Sequence, residues 1–355
     1  MILARKLQIL ALITLTVVGL TFLSLPQQRQ QNRVVLPLGE VAYGAQDQRG
    51  PAHPLPTHII GALGQVSNEA LAGQPTQREL KAAKDMRLSK ITGKANDTLE
   101  PKGSKIVLLT ATDGKGHNGA IKNLLETVEE NREEYCAYHA YKYQFINITK
   151  HVVPSRHPVW AKVPAIQEAF ELNPTAEWVW WLDTDAIIMT PEIDLASHVL
   201  NPEVLKTKIA CDRPIKLPNG KPSGLSVSCD VDVNMVDVIV GQDHNGVNAG
   251  SILFRRNEWT MAFLDMWADP MYVNRRFERQ EQDALNHIIV NHPKIREHIA
   301  IVPQRVINAY SVGGDEMGWK TGDLVVHFAG CWVNNECDKR WQDFWSRRQV
   351  IEVQD

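Results

Sequence analysis

Trp178-Val179-Trp180-Trp181-Leu182-Asp183-Thr184-Asp185 is an apolar run that stops in two carboxylates one residue apart. A short run this continuously apolar reads as a strand buried on both faces, the kind found in the middle of a parallel sheet. Upstream, Lys105-Ile106-Val107-Leu108-Leu109-Thr110 is a second such run, ending near Asp113-Gly114, and apolar residues then recur at helical spacing from Ala120 to Arg132. Tyr141 to Ile148 alternates like another strand, and Pro164 to Leu172 predicts a helix opened by its proline. This alternation predicts an α/β fold with a mostly parallel central sheet flanked by helices. Ligands of such sheets sit beyond the carboxyl ends of the strands. Asp113 and Asp183-Thr184-Asp185 both fall there.

Two like charges at one sheet edge need a cation. Hard oxygen ligands favour Mg²⁺ or Mn²⁺ over zinc, and such an ion bridges the two phosphates of a nucleotide-sugar and stabilises the leaving diphosphate. The competing reading of Asp183 and Asp185 is that they cap the following turn. His327 ends another apolar run, Asp323 to Val326, and is the candidate third ligand; as imidazole it shifts the choice toward Mn²⁺. A hydrogen-bonded structural histidine is the alternative. In Asp243-His244-Asn245-Gly246-Val247-Asn248-Ala249-Gly250-Ser251 the small residues, Gly250 among them, permit close backbone approach to a sugar, and Asn248 offers a donor and an acceptor. Asn245-Gly246 also reads as a hairpin turn. Arg279-Gln280-Glu281-Gln282-Asp283 opens a helix from Ala284 to Val290, where Glu281 or Asp283 suits the positive helix end. In the functional reading Glu281 and Gln282 face the transferred sugar and stabilise charge at its anomeric carbon.

At 44% hydrophobic and 22% charged, the 355 residues are too apolar for a disordered chain and too charged for a multispanning transporter. A net charge of −3 gives no whole-chain argument for a polyanion, so no nucleic-acid partner is expected. After residues 1–6, read as a cytosolic tail carrying Arg5 and Lys6, Leu7 to Leu25 is long enough for a transmembrane signal anchor. A cleaved secretory signal competes, but Ser24-Leu25-Pro26 matches a cleavage site poorly. The positive-inside rule makes the chain a single-pass type II protein with a luminal catalytic domain. Residues 26–103 read as a stalk and 104–355 as the catalytic domain, with a short solvated helix from Arg78 to Lys90 and acceptor sequons at Asn96 and Asn147. Five cysteines are too few for a disulfide-built scaffold. Cys211 and Cys229 bracket a Pro/Gly-rich loop, expected to move over the donor, and Cys331 and Cys337 flank a turn. Either pair suits a luminal disulfide, leaving Cys136 as a buried thiol. Trp341 and Trp345 share a helix face suited to core packing, whereas Trp332 is the acceptor-side candidate.

With Trp160-Ala161-Lys162, Trp180 to Ala186, Asn248-Ala249-Gly250-Ser251 with Arg255, Glu281 to Leu285 and His327-Phe328-Ala329-Gly330-Cys331 in this order, the sequence resembles the fungal Golgi α-galactosyltransferase and α-mannosyltransferase family, glycosyltransferase family 34. The resemblance covers roughly Lys105 to Arg347 and implies a GT-A fold, Mn²⁺ dependence, retention of anomeric configuration and a Golgi membrane location. It further implies that Asp183, Asp185 and His327 hold Mn²⁺, that Asp113 lies against the nucleotide, and that Asn248 and Gln282 contact the donor sugar. Plant members of the family carry a basic residue where this chain has Trp332, and Lys162 is the expected substitute as diphosphate counter-charge. They also carry an acidic pair where this chain has Gln280-Glu281, which makes Glu281 the expected charge stabiliser. Attack on the face from which the diphosphate leaves is preferred to a covalent route. The function expected is transfer of mannose from GDP-mannose to mannan-type glycans on glycoproteins, within a hetero-oligomeric mannosyltransferase complex. Transfer of galactose from UDP-galactose in α-1,2 linkage is the alternative, and a non-catalytic scaffold subunit of a mannan polymerase is the alternative from another class.

Overall fold

The computed structural model describes residues 77–91, 105–115 and 120–352. The apolar run 7–25, most of the stalk and the Asn96 sequon lie outside the described residues. Among the described residues no helix is long and apolar enough to cross a membrane. The main sheet contains β1 (Ile106–Thr112), β2 (Lys142–Asn147), β3 (Trp178–Leu182), β7 (Val238–Asp243), β8 (Gly246–Arg255) and β9 (Ile299–Pro303), in the order β2-β1-β3-β8-β7-β9. β8 alone runs antiparallel to its neighbours in that sheet, so the sheet is mixed but mostly parallel. A smaller sheet is built from β4 (Ala186–Ile188), β10 (Ala309–Tyr310) and β11 (Val325–His327), and β5 (Pro214–Lys216) pairs with β6 (Pro222–Ser226) as a hairpin.

Six helices of at least ten residues, among the described residues, cover these sheets: α1 (Gln77–Ile91), α2 (Leu124–Tyr138), α3 (Lys162–Leu172), α4 (Glu258–Trp267), α5 (Gln280–Asn291) and α6 (Cys337–Arg347). The composition of β3 follows from having both faces covered. Val179 and Trp181 pack with Ile166 and Phe170 of α3, Phe263 of α4 and Leu285 of α5, while Trp180 and Leu182 pack with Tyr135 of α2 and Ile188 of β4. A strand so placed has no solvent side on which to carry polar residues. The chain leaves β1 for β2 on one side and returns to β3 on the other, so a topological switch point lies between β1 and β3 at their carboxyl ends.

Several element boundaries differ from the sequence expectation for local reasons. α2 begins at Leu124 rather than near Ala120, because Asn123 is left-handed at φ 52° and turns the chain into the helix; it then runs on through its glutamate-rich part to Tyr138. Pro164 does not open α3. The helix continues from the single 3₁₀ turn Pro158–Ala161, and Pro164 sits in its first turn, where a missing N–H leaves no bond unmade. Asn248 to Ser251 belong to β8, and the turn lies at His244-Asn245-Gly246, so the hairpin reading of Asn245-Gly246 is the one realised. The Arg78 to Lys90 helix is present as α1 but is not solvated all round. It docks on α2 through Lys84 with Glu133 and Arg87 with Glu134, and Ile91 is fully buried.

Both candidate disulfides, Cys211–Cys229 and Cys331–Cys337, are formed, and Cys136 is a buried free thiol. Trp341 is fully buried and Trp345 packs beside it, as core packing requires. Asn147 ends edge strand β2 exposed, its Oδ1 accepting from the Thr149 backbone N–H at 2.9 Å.

Candidate active site

The small sheet is what carries His327 to the carboxylates. β11 pairs antiparallel with β4, setting His327 opposite Ala186, and the Phe328 N–H donates to the Asp185 carbonyl at 2.9 Å. Ligand atoms of Asp183, Asp185 and His327 lie within 4.8 Å of one another. His327 Nε2 is 3.4 Å from Asp185 Oδ1 and 3.9 Å from Asp183 Oδ2. Burial works against the charge on Asp185, but His327 beside it outweighs burial and holds its carboxyl below the usual range. Burial likewise opposes an imidazolium at 327, yet Asp185 raises its pKa above the ordinary histidine value. Two oxygens and one imidazole nitrogen facing a common point form a donor set suited to Mn²⁺ or Mg²⁺. The other imidazole nitrogen, Nδ1, is buried without a hydrogen-bond partner, so the ring presents its polar capacity through Nε2, toward the carboxylates.

Asp183 is held from behind. Its Oδ1 accepts from Trp181 Nε1 at 2.6 Å and lies 3.4 Å from Lys162 Nζ, leaving Oδ2 toward His327. Its backbone N–H donates to the Gly250 carbonyl at 2.7 Å. Gly250 packs against the imidazole: a Cβ there would lie 2.3 Å from His327 Cε1 and 2.7 Å from Nδ1. Asn248, buried, is likewise engaged within the protein. Its Nδ2 donates to the Tyr310 hydroxyl at 2.7 Å, and its Oδ1 accepts from Gly250 N at 2.9 Å and Asn308 Nδ2 at 2.7 Å. Tyr310 in turn donates to Asp243. The network fixes the backbone that touches both His327 and Asp183.

Lys162 is nearly fully buried on α3, and its ammonium meets Ala249 O at 2.9 Å, Glu281 Oε1 at 2.9 Å and Asp183 Oδ1 at 3.4 Å. Burial would depress its pKa, but Asp183 and Glu281 outweigh burial and hold it above the ordinary lysine value. Three donors facing three protein acceptors tie Lys162 to the protein, at the wall of the cleft in which it was expected to act as diphosphate counter-charge. Glu281, also buried, has its carboxyl raised by burial despite Lys162. It follows Gln280, whose left-handed φ of 42° strains the backbone at the start of α5. Gln282 is half-buried, and its Oε1 accepts from the Ala249 N–H at 3.0 Å. Asp283 takes the helix-end role instead: its carboxylate accepts from Arg279 N and Nε, each at 3.0 Å. Replacing Lys162 with methionine should destabilise the protein by about 3–5 kcal/mol, because Glu281 is left as an unpaired buried charge. Adding Glu281→Gln should recover part of that loss in denaturant melts; a single-variant loss below about 1 kcal/mol would remove the ion pair from this account.

A cleft of about 480 Å³ opens at the switch point, lined in part by Asp113, Lys115, Trp181, Asp183 and Asp185. Asn248, Gly250, Glu281, Gln282, His327 and Trp332 do not line it. Trp332 is 40% exposed on the 3₁₀ turn Cys331–Asn334, five residues past His327 and next to the Cys331–Cys337 disulfide. The 211–229 loop contains the β5–β6 hairpin, which is tied to β7 and α5. Gln242 accepts from Lys216 N at 2.9 Å, Asn286 donates to Lys216 O at 3.1 Å, and no hairpin residue lines the cleft.

Arg132 was not legible as a site residue. It is fully buried on α2, donating to Leu182 O at 3.1 Å, Asp183 O at 2.5 Å and the Thr110 hydroxyl, so it braces the carboxylate turn from beneath. Burial lowers its pKa to about 10, offset by nearby groups that include Asp183 and Asp185. A charged residue inside a predicted amphipathic helix looks solvent-facing until the helix is docked. Trp181 is different: it lies two residues before Asp183, which directly follows β3, so strand alternation puts both on one face.

Residues 102–338 match the galactosyl transferase GMA12/MNN10 family. Over 257 residues the chain is 40% identical to a protein of Schizosaccharomyces pombe named probable alpha-1,2-galactosyltransferase gmh2, covering 69% of this chain and 72% of that one. It is 34% identical over 250 residues to an alpha-1,2-galactosyltransferase of the same yeast, covering 68% and 65% of the two chains. To the probable alpha-1,6-mannosyltransferase MNN10 of Saccharomyces cerevisiae it is 32% identical over 257 residues, covering 65% and 63%. With the matched region containing Asp113, Asp183, Asp185, Glu281 and His327, the chain belongs to the galactosyl transferase GMA12/MNN10 family and is a glycosyltransferase.

Proposed function

We propose that this glycosyltransferase is a retaining, divalent-metal-dependent enzyme that transfers galactose from UDP-galactose to mannan-type glycans on glycoproteins. The convergence of Asp183, Asp185 and His327 at the carboxyl edge of β3 carries the catalytic part of this reading. Bound there, Mn²⁺ or Mg²⁺ supplies Lewis-acid stabilisation of the departing diphosphate. Around the carboxylate turn, Asp183, Asp185 and Glu281 counted against Lys162, which pairs with two of them, and Arg132, which braces the turn through its backbone, give −1, which becomes +1 with a divalent ion. That is the sign needed opposite a diphosphate. Asp113, just past the end of β1, lines the cleft, which supports a role for it against the nucleotide. Gln282 positions the Ala249 backbone, and Glu281, anchored by Lys162, supplies negative potential near the anomeric carbon. A carboxylate so held in an ion pair supports same-face attack over a covalent glycosyl-enzyme. Trp332 is the acceptor-side residue of this reading.

The donor is chosen on identity, 40% to the galactosyltransferase-named relative against 32% to the mannosyltransferase-named one. Transfer from GDP-mannose, the expectation from sequence, is the second reading and is supported by that 32% match. Purified full-length chain with Mn²⁺ should hydrolyse UDP-galactose at least about tenfold faster than GDP-mannose, a difference of ~1.4 kcal/mol in barrier. The reverse ratio would install the mannosyl reading, and no turnover of either would favour the scaffold. The proposed location is the Golgi membrane, type II through residues 7–25 and with the catalytic domain luminal, in company with mannosyltransferase subunits. The two disulfides support an oxidising compartment. Protease protection of a C-terminal tag in sealed vesicles tests that orientation, and co-purification from detergent extracts tests the subunits.

A further inference from the structure

We propose that Lys115 binds the distal phosphate of the nucleotide in the cleft, as the mobile counter-charge that Lys162 does not provide. The inference rests on the nucleotide-sugar reading above. The lysines that line the cleft are Lys115 and Lys162. Lys162 is buried with its donors engaged, and Arg132 is sealed beneath the carboxylate turn with its fork on main-chain and hydroxyl oxygens. Lys115 is exposed, and its side chain makes no hydrogen bond or ion pair with the described residues. Its backbone, by contrast, is fixed. Thr112 Oγ1 accepts from Gly114 N at 3.0 Å, Asp113 Oδ1 accepts from Lys115 N at 3.0 Å, and Gly114 turns the chain at φ 75°. A flexible four-carbon stem is thus mounted on a defined turn at the cleft wall, with three donors available to oxygens that arrive with a ligand.

Charge arithmetic points the same way. The groups around the carboxylate turn stand at +1 with a divalent ion, and Asp113 and Glu126, which also line the cleft, add two negative charges, whereas a nucleotide-sugar diphosphate brings about two more and the departing nucleoside diphosphate about three. One further cation is required to approach neutrality, and more so as the glycosidic bond breaks, which is when stabilisation counts for rate. An exposed lysine is suited to this because it can follow the phosphate and then release it.

Calorimetric titration of UDP and of GDP with Mn²⁺ into the purified full-length chain tests the proposal. Lys115→Met should weaken nucleoside diphosphate binding roughly tenfold, about 1.4 kcal/mol, and Lys115→Arg should stay within about threefold of the parent. UMP and GMP, which lack the distal phosphate, should change by less than about threefold in Lys115→Met. Unchanged thermal melts are expected of an exposed substitution. Diphosphate affinity within about twofold of the parent in Lys115→Met, or an equal loss for mono- and diphosphates, would overturn the assignment while leaving the nucleotide-sugar reading in place. A parent chain that binds neither UDP nor GDP would remove both.

Discussion

Asp185→Asn is expected to lower Mn²⁺-dependent donor turnover by about a thousandfold or more, with the fold intact. A metal acting as Lewis acid contributes several kcal/mol of transition-state stabilisation, and about 4 kcal/mol is a factor of a thousand. Asp185 is buried, its Oδ1 lies 3.4 Å from His327 Nε2, and it shares a site with the like charge of Asp183. Asparagine keeps the shape but not the charge, so it should remove most of the ion's affinity. The same change removes the carboxylate partner of His327 but relieves repulsion from Asp183 and spares the Asp185 carbonyl that accepts from Phe328 N, so the melting temperature should fall by no more than a few degrees. Mn²⁺ titration followed by electron paramagnetic resonance reads the loss directly. Parent-like Mn²⁺ affinity in the variant would remove Asp185 from the metal site.

Gly250→Ala is the second large effect, and it comes from a methyl group. The new Cβ would meet His327 Cε1 at 2.3 Å, Nδ1 at 2.7 Å and Asn248 Oδ1 at 2.9 Å, all closer than real Cβ atoms come. The imidazole is itself buried between β4, β8 and β10, so it cannot swing to solvent at little cost. Overpacking of this kind costs about 1–3 kcal/mol in stability. The larger consequence is displacement of His327 from the carboxylates, with turnover expected to fall at least about a hundredfold, given how steeply misplacement costs rate. Asn248→Ala, by contrast, removes the brace without a clash and should be milder. Parent-like Mn²⁺ affinity and turnover in Gly250→Ala would show that the imidazole has room the structure does not give it.

The amino-acid order alone determined β1, β2 and β3, the α/β class, the edge of the sheet that carries the site, and the identity of Asp183, Asp185 and His327 as candidates. It could do so because burial on two faces leaves an unbroken apolar run, and because carboxylates immediately after such a run have few structural reasons to be there. Boundaries such as the start of α2 turned on single residues in unusual backbone conformations, Asn123 among them, which periodicity does not register. Asn248, Gly250 and Lys162 were visible as residues but not in their contacts.

Those contacts are long-range, and only the tertiary structure decided them. Register between β4 and β11 is what sets His327 beside Asp185; register between β3 and β8 sets Gly250 against Asp183; docking of α2 carries Arg132 beneath the carboxylate turn. A lysine in Trp160-Ala161-Lys162 shows no partner in the sequence, and became a buried tie only once α3 and α5 met across β8. Local pattern records which face of an element is apolar, whereas the partner of a buried charge is chosen by packing between segments distant in the chain, where an unpaired ion costs too much to leave.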